Sequence, residues 1–216
     1  MTGLLRKAML LACSGVLAAS SAMAAVPSPA DSSVPCGLNL VGSTGGVADV
    51  RGDLTIIIRD LALTPIAGSS VVINFNACTP DIRVCSVQPA AGVTASCPGT
   101  VGEISGVTDG SGTVVLRIVG GANNIGGSAA AGFKCATVYA DGVNMGTINV
   151  GAFDQNGGGG VNPTDISLFL PDSFDGDFEG RSDYNCSNTV NPTDLSLLLG
   201  ASLGGGSGSS CGAYCH

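Results

Sequence analysis

The chain has 216 residues, with 16 acids against eight Lys and Arg, one His and no Trp, and a formal net charge of −8. That balance argues against nucleic acid or an anionic membrane surface as a partner, since both demand clustered cations. The single histidine is His216, so no triad or His-based general acid/base pair is assembled from this chain.

At the N-terminus, Arg6 and Lys7 precede an apolar, small-residue run over 8–22, and Ala22-Met23-Ala24 fits a small-x-small cleavage pattern. A signal peptide over 1–24 is therefore expected, with export of the remainder. The run is too short and too rich in Ala and Ser for a membrane span of about 20 residues, so no transmembrane helix is expected in the mature chain. Leu10-Leu11-Ala12-Cys13 offers an alternative, a lipoprotein cleavage box. It leaves an apolar region of only about five residues, whereas the common form has about 7–15. After removal of 1–24 only six cations face the 16 acids, and eight of those acids fall between Asp154 and Asp194.

Residues 25–37 are read as a linker. From 38 to 152, short apolar runs alternate with Gly, Pro, Asn and Asp turns, the pattern of a β-sandwich. Leu54, Ile56 and Ile58 face one way, as do Val71, Ile73 and Phe75, and Val114, Leu116 and Ile118. Between them stand Thr55, Asn74, Thr113 and Arg117, so one face meets a core and the other meets water. Further strands are expected at 38–41, 93–96, 134–140 and 147–152. Turns are expected at Pro65 to Gly68, Asp109-Gly110-Ser111-Gly112 and Asp141-Gly142.

Eight cysteines remain after Cys13: Cys36, Cys78, Cys85, Cys97, Cys135, Cys186, Cys211 and Cys215. An even number in an exported chain reads as a disulfide framework. The spacings lack the closely paired ligands of zinc modules, and sequence alone leaves the pairing open.

Leu54-Thr55-Ile56-Ile57-Ile58-Arg59-Asp60, followed by Thr64-Pro65-Ile66-Ala67-Gly68 and later by Thr108-Asp109-Gly110-Ser111-Gly112, resembles the bacterial immunoglobulin-like domains of the invasin/intimin type. The resemblance covers roughly residues 45–152. It implies a spacer or adhesive module; the extra cysteines depart from the family pattern.

A repeat offset by 29 residues follows. Val161-Asn162-Pro163-Thr164-Asp165-Ile166-Ser167-Leu168 recurs as Val190-Asn191-Pro192-Thr193-Asp194-Leu195-Ser196-Leu197. Counting from Asp154 and from Asp183, oxygen-bearing side chains stand at positions 1, 3, 9 and 12 of each loop, with Ser187 at position 5 of the second. This is the spacing of an EF-hand-type calcium loop, whose seventh residue contributes its carbonyl. Position 6 needs tolerance of positive φ, which Gly159 and Asn188 supply. At position 8, Val161 and Val190 are expected to pack between the loops. Asn, Pro and Asp at positions 9, 10 and 12 open a helix as N-cap, N1 and N3. Apolar stripes follow at Ile166, Phe169 and Leu170, and at Leu195, Leu198 and Leu199.

A calcium loop with one following helix, duplicated, resembles a dockerin, whose pattern D-x-N-G-D-G-x-V-N-x-x-D is close to residues 154–165. The resemblance implies up to two Ca²⁺ ions. The first would be held by Asp154, Asn156, the carbonyl of Gly160, Asn162 through water, and Asp165. The second would be held by Asp183, Asn185, Ser187, the carbonyl of Thr189, Asn191 and Asp194. Gly158 and Ser187 stand where the pattern has an acid, so affinity is expected toward the extracellular end, about 10⁻⁵ to 10⁻³ M. Two other readings stay open: plain capping turns, or a calcium fold in which disulfides replaced the ion, with Cys211 or Cys215 reaching back to Cys186. Asp172, Asp175, Asp177 and Glu179 are read as a solvated connector.

The expected architecture is mainly β, an immunoglobulin-like β-sandwich over 38–152 followed by a small α-helical dockerin-like module over 153–203 and a Gly/Ser/Cys-rich tail over 204–216. There is no G-x-S-x-G elbow, and Glu103 and Glu179 are the only glutamates, so an enzyme is not expected. The expected function is that of a secreted or cell-surface, calcium-binding structural or interaction protein, with a possible partner in a cohesin-like domain or a cell-surface component. The alternatives are a cohesin-docking component of a polysaccharide-degrading assembly, with Thr164, Ser167, Thr193 and Ser196 nearest to recognition positions, and a disulfide-held adhesion module with degenerate loops.

Overall fold

The computed structural model describes residues 25–78, 80–97, 102–123, 132–158, 160–174, 180–203, 211 and 213–215. The expected signal peptide (1–24) and most of the tail (204–210, 212 and 216) lie outside them.

The protein is mainly β. In chain order the strands are β1 (Gly37–Leu40), β2 (Ser43–Thr44), β3 (Val47–Ala48), β4 (Asp53–Ile57), β5 (Ser70–Asn74) and β6 (Ile82–Val84). They continue as β7 (Thr94–Ser96), β8 (Glu103–Val107), β9 (Thr113–Arg117), β10 (Gly120–Ala122), β11 (Ala136–Ala140) and β12 (Val143–Ala152). Two helices follow, α1 (Pro163–Phe174) and α2 (Pro192–Leu203). Neither is long and apolar enough to cross a membrane.

Six strands form one curled sheet in the order β1-β12-β11-β5-β8-β7. The β1–β12 pair is parallel and the others are antiparallel. The β4–β9 pair shares a single apolar core with this sheet: Leu54, Ile56, Leu116 and Ile118 are buried with Val71, Ile73, Ile104, Val138, Ile148 and Val150. Each of these side chains, taken from water to full burial, contributes about 1.5–3 kcal/mol. The period-two alternation anticipated for 54–58, 71–75 and 114–118 sets which face turns inward.

Turn chemistry closes the strands as the residues dictate. Asp141 (φ 48°) and Gly142 (φ 82°) make a two-residue hairpin between Ala140 and Val143, both in the left-handed region that type I′ turns require. Asp109 Oδ1 accepts from the backbone N–H of Ser111 (2.8 Å) and Thr113 (3.0 Å), which holds its carboxyl below the usual carboxylate range, with the Ser111 hydroxyl bond contributing most.

Several strands differ from expectation. β12 runs from Val143 through a bulge opposite Val138/Tyr139, longer than the anticipated 147–152. β11 starts at Ala136, because Lys134 takes φ 46° and leaves the strand conformation. β8 lies between β5 and β7 yet was not anticipated. Its residues, Glu103-Ile104-Ser105-Gly106-Val107, offer one large inward side chain. Gly106 is needed there, because a Cβ on it would lie 2.6 Å from Leu116 Cδ2 of the facing pair.

Residues 25–37, read as a linker, are tied to β4: Ser33 and Ile57 exchange both backbone hydrogen bonds, and Ser28 N–H donates to Arg59 O. A second apolar cluster joins the repeat to the β-module. Val41, Ala48, Cys85, Val119 and Phe153 pack there with Val161, Phe169, Tyr184, Leu198 and Ala201.

All eight expected cysteines are paired, as Cys36–Cys186, Cys78–Cys135, Cys85–Cys211 and Cys97–Cys215. The reach of Cys211 or Cys215 back to Cys186 is not what forms. Tyr214 bridges to Cys85 beside β6, which draws the tail onto the β-module, while Cys186 faces Cys36 at the start of β1.

Candidate metal centre

The two loops share most of their hydrogen-bond pattern: the position-5 amide donates to Oδ1 of the first Asp in both, whereas Oδ2 accepts from position 7 in the first and from position 6 in the second. In the first, Asp154 Oδ1 accepts from Gly158 N–H (3.1 Å) and Oδ2 from Gly160 N–H (3.1 Å). In the second, Asp183 Oδ1 accepts from Ser187 N–H (2.9 Å) and Oδ2 from Asn188 N–H (2.8 Å). At position 12 the match is complete. Asp165 accepts from the N–H groups of Gln155 and Asn162, both at 2.8 Å. Asp194 accepts from Tyr184 (2.9 Å) and Asn191 (3.0 Å).

The helix starts explain part of this pattern. Asn162 Oδ1 caps Thr164 N–H (2.9 Å) and Asn191 Oδ1 caps Thr193 N–H (2.8 Å). Asp165 and Asp194 reach back to the N-cap amide, so each helix opens with a reciprocal capping box. The carboxylates also sit where the helix dipole favours negative charge.

Capping does not account for the burial. Asp154 and Asp183 are 1% exposed, and Asp165 and Asp194 are fully buried. Burial pushes the Asp165 and Asp194 carboxyls above their usual range, and the charges of Asp154 and Asp183 respectively push them further. Each loop thus brings two acids close together in a dry place. A cation between them would offset both the cost of burial and the repulsion between the two charges.

The donor set fits calcium, a hard ion that takes carboxylate, amide and carbonyl oxygens. Asp154, Asn156, Asn162, Asp165 and the Gly160 carbonyl lie on one loop; Asp183, Asn185, Ser187, Asn191, Asp194 and the Thr189 carbonyl lie on the other. The position-7 carbonyls accept from Asn162 Nδ2 (3.0 Å) and Asn191 Nδ2 (3.2 Å). Among the described residues, no group of three or more His, Cys, Asp or Glu side chains gathers as a metal cluster. Each loop has only two acids, its other oxygens coming from amides and a carbonyl, with the Ser187 hydroxyl added in the second.

The remaining loop expectations fall as follows. Asn188 at position 6 takes φ 60°; its counterpart Gly159 lies outside the described residues. Val161 and Val190 both join the second apolar cluster. The stripes turn Phe169 and Leu198 fully inward, with Ile166 and Leu195 packed beside them. Position 4 is also left-handed in both loops, at Gly157 (φ 62°) and Cys186 (φ 57°). The sequence reading missed it because a cysteine carries no such signal; for an L-residue the conformation costs roughly 1–2 kcal/mol.

Position 2 was missed as well. Gln155 and Tyr184 meet at the centre, where Gln155 Nε2 donates to the Tyr184 hydroxyl at 2.7 Å and the Tyr184 hydroxyl donates to Ala152 O at 3.2 Å. Tyr184 packs against Phe153 (centroids 4.6 Å apart) and stacks on Phe169 (6.0 Å). Burial drives its phenol far above the usual range. Tyr214, whose hydroxyl donates to Gly157 O at 3.3 Å, is pushed up to about 12 by burial first and the Asp154 charge second.

The acidic connector is corrected at one residue. Asp172 is buried rather than solvated: Arg181 Nη2 reaches it at 3.2 Å and Ser182 Oγ donates to it at 2.5 Å. Arg181 Nη1 also meets buried Asp81 at 3.3 Å, which links the repeat to the β-module. Asp175, Asp177 and Glu179 lie outside the described residues.

Comparison with family models, with curated proteins and with solved structures found no match to this chain.

Proposed function

We propose that this chain is a secreted, non-catalytic calcium-binding module, in which an immunoglobulin-like β-unit carries a dockerin-like pair of calcium loops. The observation that carries the reading is the duplicated scaffold. Positions 1 and 12 of both loops are carboxylates, 1% exposed or less, held by backbone amides at nearly the same offsets. Calcium would supply the positive charge that joins these acids. The chain's own residues do the rest: the amides orient the carboxylates, and Phe153, Phe169 and Tyr184 keep water from the side facing the β-module. Four disulfides support an extracellular setting. With so few cations and no usable histidine, structure or interaction is the role, not catalysis.

Calorimetric titration of the oxidised chain with calcium tests this reading, repeated with Asp154→Ala and Asp183→Ala. Two sites are expected, each lost with its own aspartate and each with Kd of about 10⁻⁵ to 10⁻³ M. No heat up to that concentration in the intact chain contradicts it and leaves a disulfide-held module with degenerate loops.

A second reading, docking onto a cohesin-like domain, is favoured by the exposure of Thr164, Ser167, Thr193 and Ser196 at matching helix positions. Calcium-dependent binding to such a domain, weakened by Thr164→Arg or Thr193→Arg, is its expected signature; binding indifferent to both substitutions contradicts it.

A further inference from the structure

The two loops reach one shape by different means at position 4. Gly157 takes its positive φ freely. Cys186 takes the same conformation with a Cβ that crowds its own backbone. The residues flanking Cys186 are Asn185 and Ser187, both assigned above as ligands.

This turn has a definite task. It lets the position-5 N–H donate at once to positions 1 and 3. In the first loop Gly158 N–H meets Asp154 Oδ1 (3.1 Å) and Asn156 Oδ1 (2.5 Å). In the second, Ser187 N–H meets Asp183 Oδ1 and Asn185 Oδ1, both at 2.9 Å. Cys186 is held there by its bond to Cys36. Cys36 is fixed in turn, its carbonyl accepting from Asn149 N–H of β12 at 2.8 Å. The disulfide lies over Gly37, where a Cβ would come within 2.7 Å of Cys186 Sγ. Position 4 of the second loop is thus anchored to the six-stranded sheet.

We infer that Cys186 is a positioning residue for calcium: the Cys36–Cys186 disulfide holds the second loop in its ligand-presenting shape, so the second site depends on that bond and the first does not. The inference rests on the calcium reading of the loops. A dithiol reductant supplies the two electrons. Its first thiolate attacks one sulfur of the pair and releases the other cysteine as thiolate. Its second thiolate then displaces the mixed disulfide, leaving two protein thiols and an oxidised, cyclic reductant. Linkage makes the effect reciprocal: whatever factor the disulfide adds to calcium affinity, calcium adds to the disulfide's resistance to reduction.

The test is calcium calorimetry on the full oxidised chain, on Cys36→Ser/Cys186→Ser, and on Cys36→Ser/Cys186→Gly. The serine pair is expected to weaken the second site about tenfold, since its Cβ stays crowded without the bond, with the first site unchanged. The glycine variant is expected to recover most of that loss, because glycine does at 186 what it already does at 157. A role as a mere tether predicts no recovery. An unchanged second site in the serine variant, or no recovery with glycine, overturns the inference while the first site's titration keeps the calcium reading intact. If the serine variant loses the first site too, it has not folded, and the wild-type chain decides. Its Cys36–Cys186 bond is expected to be about tenfold harder to reduce with dithiothreitol when calcium is saturating, a shift of about 30 mV. Equal reduction with and without calcium overturns the proposal. No calcium site in the oxidised wild type overturns both readings together.

Discussion

In the β-module the interior is aliphatic: Ile56, Ile73, Ile104, Leu116 and Ile148 are buried to 1% or less and require only shape from their neighbours. In the C-terminal repeat Asp154, Gln155, Asp165, Ser182, Asp183 and Asp194 are buried just as deeply, and each requires a partner. An aliphatic interior tolerates change by repacking. A polar one holds only while every charge is answered, by an amide, by Arg181 or by an ion. The candidate site sits in the repeat, where the charges of Asp154 and Asp183 work against ionisation of the buried Asp165 and Asp194.

The sharpest way to break this contrast is Arg181→Met. Removing the guanidinium leaves Asp81 and Asp172 buried without their cation, and a loss of about 3–5 kcal/mol is expected by denaturant unfolding. A change below about 1 kcal/mol would mean that the polar interior of the repeat is not held by its ion pairs. Leu116→Ala is the matching test in the β-module. It is expected to cost about 2–5 kcal/mol, less where the core collapses onto the space, with both calcium affinities unchanged. A loss of calcium affinity there would show that the sites depend on the aliphatic core rather than on the loop scaffold.

The two regions also differ in what their sequences disclose. Period-two alternation made β4, β5 and β9 legible because each, with the residue just past its end, presents three large inward side chains. β8 escaped the same reading because its inward positions are Ile104 and Gly106, and a glycine chosen for the close approach of Leu116 carries no hydrophobic signal. In the repeat, the reverse held. Local rules sufficed to place the N-caps Asn162 and Asn191 and the N3 acids Asp165 and Asp194, because helix-start signals are written in about four consecutive residues. Long-range partners were not legible. Nothing near Arg181 in sequence points to Asp81, a hundred residues away. Nothing near Cys186 points to Cys36, at a sequence separation of 150. Gln155 and Tyr184 differ in chemistry, so their shared position 2 gave no repeat signal, although they meet at the centre of the paired loops.

The most direct measurement is a calcium titration of the oxidised chain followed through its backbone amide resonances. Calcium at both loops predicts that the amides of Gly158, Gly160, Ser187 and Asn188, which donate to Asp154 and Asp183, shift and saturate by millimolar calcium. The amides of β4 and β9 should stay in place. Loop amides that do not move at that concentration, or shifts spread evenly over the β-module, would contradict the account.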